Sequence, residues 1–97
     1  MAMHNPPHPG EFIRASYLVP FGISIRSLAE SLGVAPSTLS RIVGLRSGVS
    51  PEMALRLSKA VGRSAESWLA MQHNCDLWHA KKQADLTDVQ KVEFEAA

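Results

Sequence analysis

Apolar residues recur at helical spacing in several separate stretches, each bounded by glycine, proline or serine. The clearest pair runs from Ser24 to Gly44. Ile25, Leu28, Ala29 and Leu32 fall at i, i+3, i+4 and i+7, which puts every apolar side chain on one stripe of a helix. Ser24 caps its start, and Gly33, just past the last apolar position, takes the left-handed conformation that closes the final turn. A second helix begins at Pro36, whose missing N–H is no loss in a first helical turn, and Leu39, Ile42 and Val43 supply its inward face. Its outward face carries Ser37, Thr38, Ser40 and Arg41. These are short donors and acceptors plus one guanidinium, whereas a helix exposed only for solubility is usually filled with Glu and Lys.

The flanking stretches predict three more helices. Pro6, Pro7 and Pro9 keep the first eight residues extended. A helix then starts near Pro9, with Glu11 in its opening turn and Phe12, Ile13, Ser16 and Tyr17 along one side, and is expected to stop at Pro20 and Gly22. Ser50, Pro51 and Glu52 are three start signals together. They open a helix with Met53, Leu57, Ala60 and Val61 buried, Arg56 and Lys59 facing out, and Gly62 at its end. Ser64 caps a fifth helix reaching about Gln83, along which Trp68, Met71, Cys75 and Trp78 recur, with Leu69 and Leu77 broadening the apolar side. Beyond Ala84, Leu86, Val89 and Val92 keep a weak helical spacing that fits a short sixth helix or a frayed tail equally well.

With 97 residues and 45% apolar composition, the chain can build one small domain and one core. Aromatics are only 6%, and little period-2 alternation is present, so packed helices are expected and the fold class is all-α. The net charge of +1 says little about partners, but its distribution says more. Residues 1–75 hold seven Lys/Arg against four Asp/Glu, and residues 76–97 hold three against five, so the basic charge accompanies the central pair of helices. A lone cysteine, Cys75, excludes an internal disulfide and suits a reducing compartment. No apolar run approaches the ~20 residues of a membrane span, and the first residues are unlike a secretion signal, so a cytoplasmic protein with no membrane contact is expected.

Candidate chemistry is sparse. His73, Cys75 and His79 are metal-ligand types within seven positions, but a closed site needs four ligands and only His4 and His8 remain to supply more. No phosphate-binding glycine loop, paired acids or activated nucleophile is visible, so neither a cofactor nor a catalytic residue is expected, and the chain reads as a non-enzyme.

Two short helices about a Gly turn, the second with a small polar face, form a helix-turn-helix. The residues resemble the Cro/repressor type: Ala29 where the helices approach closest, Gly33 at the turn, and Leu28, Val34, Leu39 and Ile42 at the buried positions. A plain αα-hairpin would not require that outward face. The wider pattern resembles HigA-type, or VapI-like, antitoxins. It comprises His8-Pro9-Gly10-Glu11 before the motif, the run Ser50 to Ala60 after it, then Ser64-Ala65-Glu66-Ser67-Trp68-Leu69. The resemblance implies a lambda-repressor-like domain over residues 9–80, an extended arm at 1–8 and a tail or short helix at 81–97.

In a DNA reader of this kind, residues 36–43 enter the major groove. Ser37, Thr38 and Arg41 are then the base-edge candidates, and Arg26, Ser40, Arg46 and Ser47 the phosphate candidates. One reader covers too few base pairs to find a genomic site, so a homodimer on a palindromic operator is expected. The two tryptophans of the fifth helix, each worth on the order of 150–250 Å² of buried surface, make Trp68, Met71, Cys75 and Trp78 the candidates for that dimer contact. The preceding helices can cover Trp68, so the outer end packs on a second copy, with Trp78 folding back on its own core as the alternative. The resemblance further implies a HigB-like ribonuclease toxin as partner and repression of the operon encoding both. Two other readings stay open: a free-standing phage-type repressor with no toxin, and a protein-interaction module that no longer binds DNA.

Overall fold

The computed structural model describes residues 5–95, and within them the chain is five helices with no strand. His4, named above as a ligand candidate, and the start of the arm lie outside the described residues. Helix α1 spans residues 9–21 in three segments, Pro9–Ile13, Arg14–Leu18 and Val19–Phe21, and is followed by α2 (Ile25–Leu32), α3 (Pro36–Val43), α4 (Pro51–Val61) and α5 (Ala65–Gln83).

Helix α1 departs from expectation in an instructive way, because Pro20 does not stop it. Its middle segment is a π-helical turn, in which the Val19 N–H reaches back five residues to the Arg14 carbonyl. When the chain returns to α-helical winding at Val19, Pro20 occupies an opening position, where a proline lacks no partner. The wider turn also decides what is buried. Ile13 and Leu18 both enter the core, although a spacing of five would leave them about 140° apart on a regular α-helix. The helix ends at Gly22 (φ 63°), with the Ile23 N–H donating to the Leu18 carbonyl at 3.0 Å.

The other helices begin and end as their capping residues dictate. Ser24, Ser50 and Ser64 each accept a hydrogen bond through Oγ from the backbone N–H three residues on, at 3.0, 3.2 and 3.0 Å. Gly33 (φ 73°) closes α2, and the Val34 N–H reaches the Ala29 carbonyl at 3.0 Å. At the start of α1 the cap is a histidine: His8 Nδ1 accepts from the Gly10 N–H at 2.9 Å.

One core joins all five helices. It gathers Ile13 and Leu18 of α1, Leu28, Ala29 and Leu32 of α2, Leu39 and Ile42 of α3, Met53, Ala54 and Leu57 of α4, and Trp68 of α5, with Val49 from the loop between α3 and α4. Trp68 is fully buried and donates Nε1–H to the Gly62 carbonyl at 3.0 Å, while Phe12 meets it edge to face, with centroids 5.7 Å apart.

Three sequence-based expectations are corrected. On α4, Ala54 is buried and Ala60 exposed, because the inward stripe follows Met53, Ala54 and Leu57. Arg56, expected to face solvent, turns toward α2 and donates from Nη1 to the carbonyls of Leu32 at 2.8 Å and Gly33 at 3.3 Å, satisfying orphan acceptors at that helix end. On α5, Trp68 and Cys75 are buried in the chain's own core and Met71 packs against it, so the first two offer no area to a second copy. Of the four residues assigned to a dimer contact, Trp78 lies farthest along α5 and stays half-buried. No helix forms after Gln83 among the described residues, which leaves Leu86, Val89 and Val92 exposed.

Candidate nucleic-acid interface

The local sequence fixes how α3 presents itself. Leu39 and Ile42 are drawn into the core, so Ser37, Ser40 and Arg41 are left exposed and Thr38 half-buried. From behind, α1 presses directly on α3. Gly10 is buried, and a Cβ built on it would overlap the carbonyl oxygen of Ile42, so only glycine permits this approach. The start of α3 also differs from α2, α4 and α5. Its N-cap is Ala35, which has no side-chain acceptor; Pro36 carries no N–H and the Thr38 N–H donates to the Ala35 carbonyl at 3.0 Å, so the Ser37 N–H is the opening donor left for an outside acceptor.

The loop after α3 is tied to that helix through its backbone. The Arg41 carbonyl accepts from the N–H of Arg46 at 2.8 Å and of Ser47 at 3.3 Å, with Leu45 in the left-handed region at φ 64°. The backbones of Arg41, Arg46 and Ser47 are therefore joined directly. These bonds also occupy the backbone donors of Arg46 and Ser47, so any phosphate contact there falls to their side chains. Arg26 stands exposed on the first turn of α2. Among the described residues, none of Arg26, Arg41 and Arg46 has a side-chain hydrogen bond or ion pair, and no acidic residue occurs between Glu30 and Glu52. Three unengaged guanidiniums thus share the α2–α3 region and its following loop.

A residue that sequence reasoning missed holds this loop. Gln72 of α5 is buried; its Oε1 accepts from the Val49 N–H at 2.9 Å and its Nε2 donates to Asp76 Oδ1 at 3.0 Å. Gly48 lets it in, since a Cβ there would come within 2.9 Å of the Gln72 side chain. The only signal in sequence was a glutamine in line with Trp68 and Cys75 on the apolar side of α5.

Behind the loop lies an open cavity of about 360 Å³ lined by His8, Arg46, Gln72, Cys75, Asp76 and His79, among others. Burial lowers the His8 pKa from its ordinary value, against the opposing pull of Asp76 and Glu11 and with a smaller push from His79, which suits its role as a neutral acceptor. Burial raises the Cys75 thiol, with Asp76 and Glu11 adding to the effect. Among the described residues, no three His, Cys, Asp or Glu come together as a metal site, and no helix is long and apolar enough to cross a membrane.

Comparison with known proteins places this geometry. Residues 15–68 match the family model described as helix-turn-helix. Virulence-associated protein I of Dichelobacter nodosus is 44% identical over 75 residues, covering 77% of this chain and 69% of that protein. Antitoxin HigA-1 of Vibrio cholerae is 35% identical over 77 residues, covering 79% and 72%. Among solved structures, antitoxin GraA in complex with its operator superposes with a TM-score of 0.82 at 37% identity, covering 100% of this chain and 98% of that one. The chain belongs to the Xre-like helix-turn-helix family, and within it resembles the HigA- and VapI-like antitoxins.

Proposed function

We propose that this chain is the antitoxin of a toxin–antitoxin pair and that it represses its own operon by binding operator DNA as a homodimer. The observation that carries the DNA-binding part is the surface of α2, α3 and the following loop: unengaged Arg26, Arg41 and Arg46, with Ser37 and Ser40 exposed and no acidic residue in the sequence between Glu30 and Glu52. Residues 36–43 enter the major groove. Arg41, exposed and with a planar fork of donors, reads guanine O6/N7, and Ser37 and Thr38 reach neighbouring base edges. Arg26, Ser40, Arg46 and Ser47, with the Ser37 N–H at the α3 start, hold phosphates. Likeness to an antitoxin solved with its operator supports the same reading.

Two copies related by a two-fold axis set two α3 helices about one DNA turn apart, which makes the operator a palindrome. Trp78 at the outer end of α5 is the anchor of that contact. Likeness to an antitoxin, HigA-1, supports a toxin as the neutralised partner; we take that partner to be a HigB-like ribonuclease and the pair to work in the cytoplasm.

The test is a mobility-shift titration over a range of salt with the chain's own upstream DNA. Arg41→Ala relaxes base preference and costs about 1–3 kcal/mol, whereas Arg46→Ala weakens all sequences alike and flattens the salt slope by about one. Equal affinity for the operator and a scrambled duplex refutes the DNA reading. Failure of the neighbouring reading frame's product to co-purify refutes the toxin part alone and leaves a free-standing repressor.

A further inference from the structure

We propose that residues 85–95 form an arm that lies across the Trp78 end of α5 in a second copy of this chain. The inference rests on the homodimer proposed above and names a second element of its interface.

Helix α5 outruns the core. Its last buried residue is Cys75, and beyond it Leu77 is 55% exposed and Trp78 half-buried. Part of the cover on Trp78 comes from its own helix: His79 packs edge-on at 5.1 Å, and Lys82 Nζ stands 4.2 Å from the ring centroid. Asn74, Leu77, Trp78 and Lys81 line a small cavity of about 100 Å³, a space of side-chain size.

The segment that follows is equally uncovered. After Gln83 the chain makes a local turn, with Asp85 Oδ1 accepting from both the N–H and the Oγ–H of Thr87, at 3.1 and 2.8 Å, and then continues without helix. Leu86, Val89, Val92 and Phe94 are between 61% and 90% exposed. Val92-Glu93-Phe94-Glu95 alternates apolar and acidic, the pattern of an extended segment with one face against a surface. The radius of gyration is 17.3 Å, against about 13 Å for a compact chain of this length, so the molecule is drawn out well beyond a single closed core.

Charge selects the occupant. Residues 85–95 hold Asp85, Asp88, Glu93 and Glu95 against Lys91, while the end of α5 holds Lys81 and Lys82. Among the described residues, the single ion pair is Arg56–Glu52, so these opposite charges are not joined within one chain. A two-fold axis pairs each arm with the other copy's helix end, and the contact is made twice with the same residues. Both uncovered apolar surfaces then meet each other.

The test uses two full-length variants altered only at exposed charges, one Asp88→Lys with Glu93→Lys, the other Lys81→Glu with Lys82→Glu, followed by sedimentation equilibrium. Each variant alone is expected to dimerise about tenfold or more weakly, because like charges then face each other. An equimolar mixture is expected to regain wild-type dimer affinity, since a basic arm then meets an acidic helix end and an acidic arm a basic one. If neither variant changes the dissociation constant, the arm is overturned and the homodimer stands. If the wild-type chain is a monomer at micromolar concentration, the homodimer reading itself fails. If the four substitutions restore dimers in one chain but the mixture does not, each arm lies on its own helix and the exchange is overturned. Unchanged dimers with loss of toxin co-purification assign the arm to the toxin instead, which also overturns the proposal.

Discussion

Replacing Gln72 by methionine tests whether α5 holds the loop of Arg46 and Ser47, proposed to face DNA, in place. Methionine matches the length of glutamine but removes the strong acceptor, so the Val49 N–H loses its 2.9 Å partner while the space stays filled against water. A buried donor left unsatisfied costs about 1–3 kcal/mol. The bond to Asp76 adds little, because Asp76 is exposed and regains water. With roughly 2 kcal/mol lost, thermal unfolding moves down by roughly 8–16 °C for a chain of this size. The second readout is DNA. The loop carrying Arg46 and Ser47 loosens, so on the proposed reading the salt slope of operator binding falls by up to about one while base preference, assigned there to α3, is kept. Gln72→Glu separates the two effects. It keeps an acceptor for Val49 and restores the loop, but sets a carboxylate against Asp76, a repulsion that adding Asp76→Asn removes. A Gln72→Met protein with unchanged unfolding temperature and unchanged salt slope would refute the anchoring argument.

Three other outcomes follow from the packing. Gly10→Ala drives a Cβ into the Ile42 carbonyl oxygen and is expected to cost about 3 kcal/mol or more, whereas Gly22→Ala, with open space around it and φ 63°, costs about 1 kcal/mol; chemical denaturation of both variants checks the contrast. Arg56→Met strips the carbonyls of Leu32 and Gly33 of their donor and lowers stability by about 1–2 kcal/mol, read the same way. The His8 pKa is lower folded than unfolded, so the unfolded chain takes up the proton first. Stability is therefore full above the ordinary histidine value and declines as pH falls through it toward the folded value. His8→Asp keeps a cap acceptor, and denaturation midpoints between pH 7.5 and 5 are expected to lose the histidine part of that decline.

The helix pair Ile25–Leu32 and Pro36–Val43 was legible because its apolar spacing, its glycine turn and its proline start all pointed the same way. Helix α1 was only half legible. A spacing rule built on 3.6 residues per turn selects Phe12, Ile13 and Tyr17 and passes over Leu18, and it treats Pro20 as a stop because it has no place for a widened turn. Arg56 and Gln72 were misread or unread for a different reason. Each satisfies backbone groups more than twenty residues away in sequence, and such partners exist only after the helices have packed. The exposed groups on α3 were legible as a set, since burying Leu39 and Ile42 leaves Ser37, Ser40 and Arg41 no other side to occupy. At α5, periodicity put Trp68 and Trp78 on one stripe, but periodicity carries no information on where the core ends.

The contact between Gly10 and Ile42 bears on how such a reader changes its target. Because α3 is braced from behind by backbone against backbone, its position does not depend on the identity of any outward side chain. Exposed Ser37 and Arg41 are thereby released from duty in folding, and if they read bases as proposed, new operator preferences can be written into them while the scaffold that aims them stays the same.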